Sequence, residues 1–148
     1  MNKEELLGVK DSIIDAIKKG IKDTEVISQV MKFGEYLTIG NNNKEKLTTN
    51  QIRKFFGEIK RQQMAGYELG TFVLLKPKLA YAVGRAKNEN KQHTKCKIED
   101  FYEVLSKAID VVITEEINGN KDAFKNFIAI FEAIVAYHKY AEAGNVQK

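Results

Sequence analysis

Apolar residues recur three and four positions apart along nearly the whole chain, and that spacing leaves little room for anything but helices. Leu6, Val9, Ile13, Ile14 and Ile17 form a first stripe, with Gly20 as a natural stop. Val26, Ile27, Val30, Phe33 and Leu37 form a second, ending at the loop-forming run Gly40-Asn41-Asn42-Asn43. Thr48 and Gln51 then fit a capping box, in which the Thr48 hydroxyl covers an orphan N–H of a helix whose inner face is Ile52, Phe55, Phe56, Ile59 and Gln63. Two later stripes, Ile98 to Ile113 and Phe124 to His138, flank Asn118-Gly119-Asn120, with Asn120 as the next N-cap. A single proline in 148 residues removes the commonest helix breaker. Only Thr71 to Leu75 admits a second reading, as a short strand ending at Pro77. Two helical pieces broken near Lys76-Pro77 fit better, because proline is at ease in a first helical turn. The pattern predicts an all-α fold, a compact bundle of five or six helices in one domain spanning 1–148. A chain of this length buries roughly 70% of its unfolded surface and needs no metal or disulfide to fold.

Several function classes are disfavoured by what the chain lacks. Cys96 is the one cysteine, so no internal disulfide is expected and a reducing compartment is. Met1 to Gly20 is charged throughout, unlike a signal peptide, and no apolar run approaches the ~20 residues of a membrane span. A cytoplasmic protein with no membrane contact is the expectation. His93 and Cys96 have zinc-like spacing, but a structural site needs four ligands and His138 is the one further candidate. No phosphate-cradling glycine loop occurs. Glu99, Asp100 and Glu103 lie at a helix start, where the helix dipole accounts for them. Nothing assembles into a nucleophile, base and orienter. The sequence therefore predicts no catalytic residues, no metal, no cofactor and no enzymatic activity.

Charge is unevenly distributed. Lys44 to Lys97 holds 13 Lys and Arg against 4 Asp and Glu, whereas the rest of the chain holds 11 against 16. Such segregation points to an anionic partner at one place on the surface. On a helical wheel the apolar positions of the Thr48-capped helix gather in a sector of about 100°, and Arg53, Lys54, Lys60 and Arg61 occupy the opposite arc, where no acid falls. An arc that does not balance its own charge suits phosphate oxygens. Lys76, Lys78 and Arg85 follow closely and extend the patch. Tyr81, beside this block, either packs into the core or stacks on a base or ribose; core packing is the expectation.

Leu47-Thr48-Thr49-Asn50-Gln51-Ile52-Arg53-Lys54-Phe55 resembles a signature of the small subunit of type III-A CRISPR effector complexes, the Csm complex. Leu74-Leu75-Lys76-Pro77-Lys78-Leu79-Ala80-Tyr81-Ala82-Val83-Gly84-Arg85 is similar to that family's second characteristic block. The Gly40–Lys46 and Asn88–Lys97 loops depart from the pattern and look free to vary. The resemblance implies a non-catalytic helical subunit, self-associating along the complex, packed against other subunits, and contacting guide RNA and target RNA through the backbone. It also implies that Arg53, Lys54, Lys60 and Arg61 face RNA, with Lys76, Lys78 and Arg85 nearby. A reading from another class is a stand-alone DNA-binding regulator that uses the Thr48-capped helix for recognition. It would need a preceding helix joined by a tight turn, and Gly40–Leu47 is too long for one.

Overall fold

The apolar stripes fold as helices in a computed structural model, which describes residues 1–90 and 94–146. They are α1 (Lys3–Lys19), α2 (Thr24–Leu37), α3 (Thr49–Ala65), α4 (Leu69–Val73), α5 (Leu75–Glu89), α6 (Lys97–Ile117) and α7 (Ala123–Val146), and no strand occurs among the described residues. Six are of ordinary length and α4 is little more than one turn. The all-α expectation holds, and Thr71 to Leu75 is helical, interrupted at Leu74. The break falls before Lys76-Pro77, which places Pro77 in the first turn of α5, where its missing N–H has no intrahelical acceptor to lose.

Local capping follows the sequence closely. Thr48 Oγ1 accepts from Gln51 N at 3.2 Å while Gln51 Oε1 accepts from Thr48 N at 2.8 Å, so the expected capping box opens α3. Asn2 and Glu5 form another at α1, and Asp23 caps α2 by accepting from Glu25 N at 3.0 Å. At α7 the expected cap is displaced: Asp122 directly precedes Ala123 and its carbonyl accepts from Asn126 N at 2.9 Å, while Asn120 accepts from Asp122 N at 3.2 Å in the turn before it.

Helices α1, α2, α6 and α7 pack on one another around the core, with α2 laid along α7 and α1 along α6. α3 rests on α7, and α5 rests on α6. Phe101 of α6 and Phe131 of α7 are buried side by side, their ring centroids 6.1 Å apart. Phe55 and Phe56 of α3 lie against them, at 6.2 Å from Phe101 and 6.0 Å from Phe131. Phe72 of α4 contacts both Phe124 and Phe127. The inner face of α3 differs from expectation at its end: Gln62 is buried and Gln63 is exposed. Gln62 lies on the flank of Phe55, where its Nε2 approaches Glu58 at 3.4 Å, and Gln63 on the flank of Phe56.

The two connections that look free to vary are tied together. Glu45 is buried, and its carboxylate accepts from Asn41 N at 3.0 Å and from the Thr94 hydroxyl at 2.9 Å. Its carbonyl accepts from Lys97 N at 2.7 Å. The Asn41 N–H, the Thr94 hydroxyl and the nearby Lys97 charge hold the Glu45 carboxyl below its ordinary range. Asn90 Nδ2 donates to the Thr94 carbonyl at 2.7 Å, which gathers the far end of α5 into the same cluster. His138, fully buried at the end of its apolar stripe, donates from Nε2 to the Leu47 carbonyl at 2.7 Å. His93 lies outside the described residues.

Two helices approach closely where α2 crosses α7. A Cβ on Gly34 would stand 2.9 Å from Tyr137 Cβ, 3.0 Å from His138 N and 3.2 Å from the Ile134 carbonyl. At Gly57 and Gly84, both mid-helix, an added Cβ would meet nothing within 4 Å. Gly34→Ala is therefore expected to lower stability by about 1–3 kcal/mol, since overpacking a backbone contact outweighs the gain in helix propensity. Gly57→Ala and Gly84→Ala should each raise it, by up to about 1 kcal/mol. Urea unfolding of the three variants checks this; a Gly34→Ala protein at least as stable as the parent contradicts the packing account.

Candidate nucleic-acid interface

The cationic arc of α3 faces solvent, as its spacing predicts, but its charges are not equivalent. Arg53 and Lys54 are exposed and make no ion pair among the described residues. Lys60, at the border of the arc nearest α7, reaches Glu132 at 2.7 Å and lies 5.8 Å from the centre of the Phe56 ring. Arg61 is paired with Glu58 one turn back. The three α5 cations that extend the patch are also engaged: Lys76 with Asp110 of α6 at 2.6 Å, Lys78 with Glu58 at 2.9 Å, and Arg85 with Glu89 at 3.4 Å. The expectation of an α3 arc that leaves its charge unbalanced is thus corrected for Lys60 and Arg61, and the three residues that extend the patch are paired as well. Two of these pairs, Glu58 with Arg61 and Arg85 with Glu89, have the i,i+3 and i,i+4 spacing of helix neighbours. Glu132 and Asp110 come from distant helices, and a wheel of one helix brings in neither.

Three of the seven residues share a site. Between α3 and α5 lies a groove of about 670 Å³. Lys54, Lys78 and Arg85 line it, with Glu58 and Glu89 among them. Phe55, Ala82 and Ala86 supply its apolar lining, and Asn50, Gln51 and Tyr81 complete it. Tyr81 is 74% exposed, so the core-packing expectation for it fails: on α5 the buried positions are Leu75, Leu79 and Ala86, and Tyr81 faces away from them. Arg53, Lys60, Arg61 and Lys76 lie outside the lining of this groove. Glu58, which the basic arc draws attention away from, is the organising residue. Lys78 donates to one of its oxygens and Arg61 to the other, and Gln62 Nε2 approaches at 3.4 Å. The Lys78 hydrogen bond, with support from Gln62 and Arg61, holds the Glu58 carboxyl below the ordinary carboxylate range against the opposing effect of burial.

The remaining chemical candidates are occupied with structure. Asp100 is buried rather than merely placed at a helix start; it accepts from the Tyr36 hydroxyl and from Lys95 Nζ at 2.8 Å. Burial and the Asp100 acceptor push the Tyr36 phenol well up, and the hydrogen bond to Asp100 raises Lys95. Cys96 is buried at the start of α6, with Asn90 Nδ2 at 3.4 Å from its sulfur. Among the described residues no group of three His, Cys, Asp or Glu is placed to hold a metal ion, and no helix is long and apolar enough to cross a membrane. The segment from Thr38 to Thr48 separates α2 from α3, which is too long for the tight turn of a helix-turn-helix reader.

Fold and surface together define a class, a small all-α bundle with a cationic face built on its third and fifth helices. The family model described as Csm2 Type III-A matches residues 23–143, from the N-cap of α2 into α7. The chain belongs to that family, and is accordingly a small subunit of type III-A CRISPR effector complexes that associates with other Csm subunits. Both sequence blocks, Leu47–Phe55 and Leu74–Arg85, fall inside the matched span, whereas α1 lies outside it. No curated protein and no solved structure matches the chain.

Because Glu58 is more acidic in the folded protein, its contribution to stability is present above the ordinary carboxylate value of about 4.3 and fades as pH falls through the lowered folded value. Glu58→Gln should thus be slightly less stable than the parent at pH 7, by no more than about 1 kcal/mol after solvent screening, and the difference should shrink on acidification below the ordinary carboxylate value. Melting temperatures across that range read it out; a gap that widens on acidification contradicts the assignment.

Proposed function

We propose that this subunit, acting as one helical domain over 1–148 in the cytoplasm, holds guide RNA and its paired target RNA by their phosphates and performs no chemistry on them. The observation that carries this reading is the exposed pair Arg53 and Lys54. Both are free of ion pairs among the described residues, and both lie in the block that carries the family resemblance. Lys60, Arg61, Lys76, Lys78 and Arg85 serve as a second set, available when phosphate oxygens replace the carboxylates that now hold them. Such exchange costs little, because exposed ion pairs are worth roughly 0–1 kcal/mol. Phosphate contacts position a duplex without reading its sequence, which base pairing between guide and target already reads. Packing against other subunits, including further copies of this chain, completes the role.

Purified protein should bind duplex RNA weakly, with little sequence preference and with affinity that falls steeply between about 50 and 200 mM salt, as counterion release requires. The double variant Arg53→Glu, Lys54→Glu should bind at least about tenfold more weakly while melting within a few degrees of the parent, since neither side chain is buried. Glu58→Gln should bind more tightly, because Arg61 and Lys78 are released. Fluorescence anisotropy on the same labelled duplex measures all three. Equal affinity of the parent and the double variant would falsify the phosphate reading, and RNA cleavage that co-purifies with the protein would remove the non-catalytic one.

A further inference from the structure

The groove between α3 and α5 has a shape and chemistry that a duplex backbone does not use. A paired RNA helix is far too bulky to be enclosed by a groove of about 670 Å³, so it can lie across the lips but not within. The interior is nonetheless equipped for a nucleotide. Phe55, Ala82 and Ala86 give it an apolar lining, and Tyr81 stands at its edge, exposed and turned away from the core. Tyr81 is flanked along α5 by Lys78 one turn before and Arg85 one turn after, and Lys54 lines the opposite wall from α3. At one end Gln51 is held by its oxygen, which accepts from Thr48 N at 2.8 Å in the capping box. That bond fixes the side-chain amide and leaves its Nε2 hydrogens as donors beside the groove.

An aromatic face, amide donors and cations lining one groove are the components by which proteins hold unpaired nucleotides: stacking for the base, hydrogen bonds for its edge, and charge for its phosphate. The volume falls within the range of small-ligand sites and suits a single nucleotide. We infer that the α3–α5 groove is a binding site for one unpaired RNA nucleotide, with Tyr81 stacking on the base and Lys54 and Arg85 taking its phosphates. The site deepens the phosphate-holding role and rests on it: a duplex seated on Arg53 and Lys54 would deliver a bulged or displaced nucleotide to the adjacent slot. Glu58 and Glu89 restrict what enters. With two carboxylates among the cations, the groove disfavours a phosphate-dense segment and leaves room for a base with a single phosphate on either side.

The test compares two labelled RNAs on the full-length protein at one low salt concentration, a fully paired duplex and the same duplex with one unpaired uridine. The bulged RNA should bind about tenfold more tightly, the scale of one base–aromatic stack. Tyr81→Ala should abolish that advantage while leaving the paired duplex unaffected, and Tyr81→Phe should retain it. Arg53→Glu should weaken both RNAs alike, and equal loss on both RNAs distinguishes failure of the duplex contact from failure of the slot. Equal binding of the two RNAs by the parent, or an advantage that survives Tyr81→Ala, overturns the inference while leaving the phosphate reading intact. Absence of binding to either RNA overturns both. Loss of subunit association in Tyr81→Ala with unchanged RNA binding would make the groove a protein contact and overturns the inference as well.

Discussion

Four phenylalanines hold the cationic face in place. Phe101 and Phe131 meet where α6 lies against α7, and the adjacent Phe55 and Phe56 of α3 reach one each. Consecutive residues on a helix point about 100° apart, so anchoring both of them fixes the rotation of α3 about its own axis as well as its distance from the core. Aromatic pairs of this kind contribute about 0.5–1.5 kcal/mol each beyond the area they bury. Once the inner arc is fixed, the direction of Arg53, Lys54 and Arg61 follows from the helical period alone. The charged surface is therefore a consequence of core packing.

That dependence explains which features are legible in the sequence. The helices, the Thr48–Gln51 cap and the inward phenylalanines all follow from relationships within about four residues, and the residues alone suffice to read them. The break ahead of Pro77 is legible to within a few residues because proline restricts both itself and its predecessor. The wheel exchanges Gln62 and Gln63 because both border the apolar sector, and which border is covered depends on neighbouring helices and not on the helix itself. The partners of Lys60 and Lys76 lie on α7 and α6, far along the chain, and a wheel drawn for one helix contains neither. Tyr81, by contrast, is within reach of the sequence: Leu79, Ala82, Val83 and Ala86 mark the inward side of α5 by their spacing, and two residues on from Leu79, at about 100° each, is the opposite side of the helix.

The pairing of cations with carboxylates changes what the positive segment means. Net charge counts every lysine equally, whereas a lysine already held by an acid contributes little field at a distance. By that measure Arg53 and Lys54 in the N-terminal half of α3, just after the Glu45 cluster that ties two loops together, count for more than the paired cations that follow them. A buried carboxylate next to an open cationic site pins the chain entering α3 without lending its charge to the surface, because the Asn41 N–H, the Thr94 hydroxyl and the nearby Lys97 charge offset it locally.

α3 and α5 are borne by different supports, α7 and α6, and the Lys78–Glu58 ion pair spans the space between them. The aperture between the two helices is consequently set by the spacing of α6 and α7, that is, by rings already in contact at the density of an organic crystal. The walls of the slot are thereby positioned by the interior of the protein, and its shape is as durable as the packing of α6 against α7.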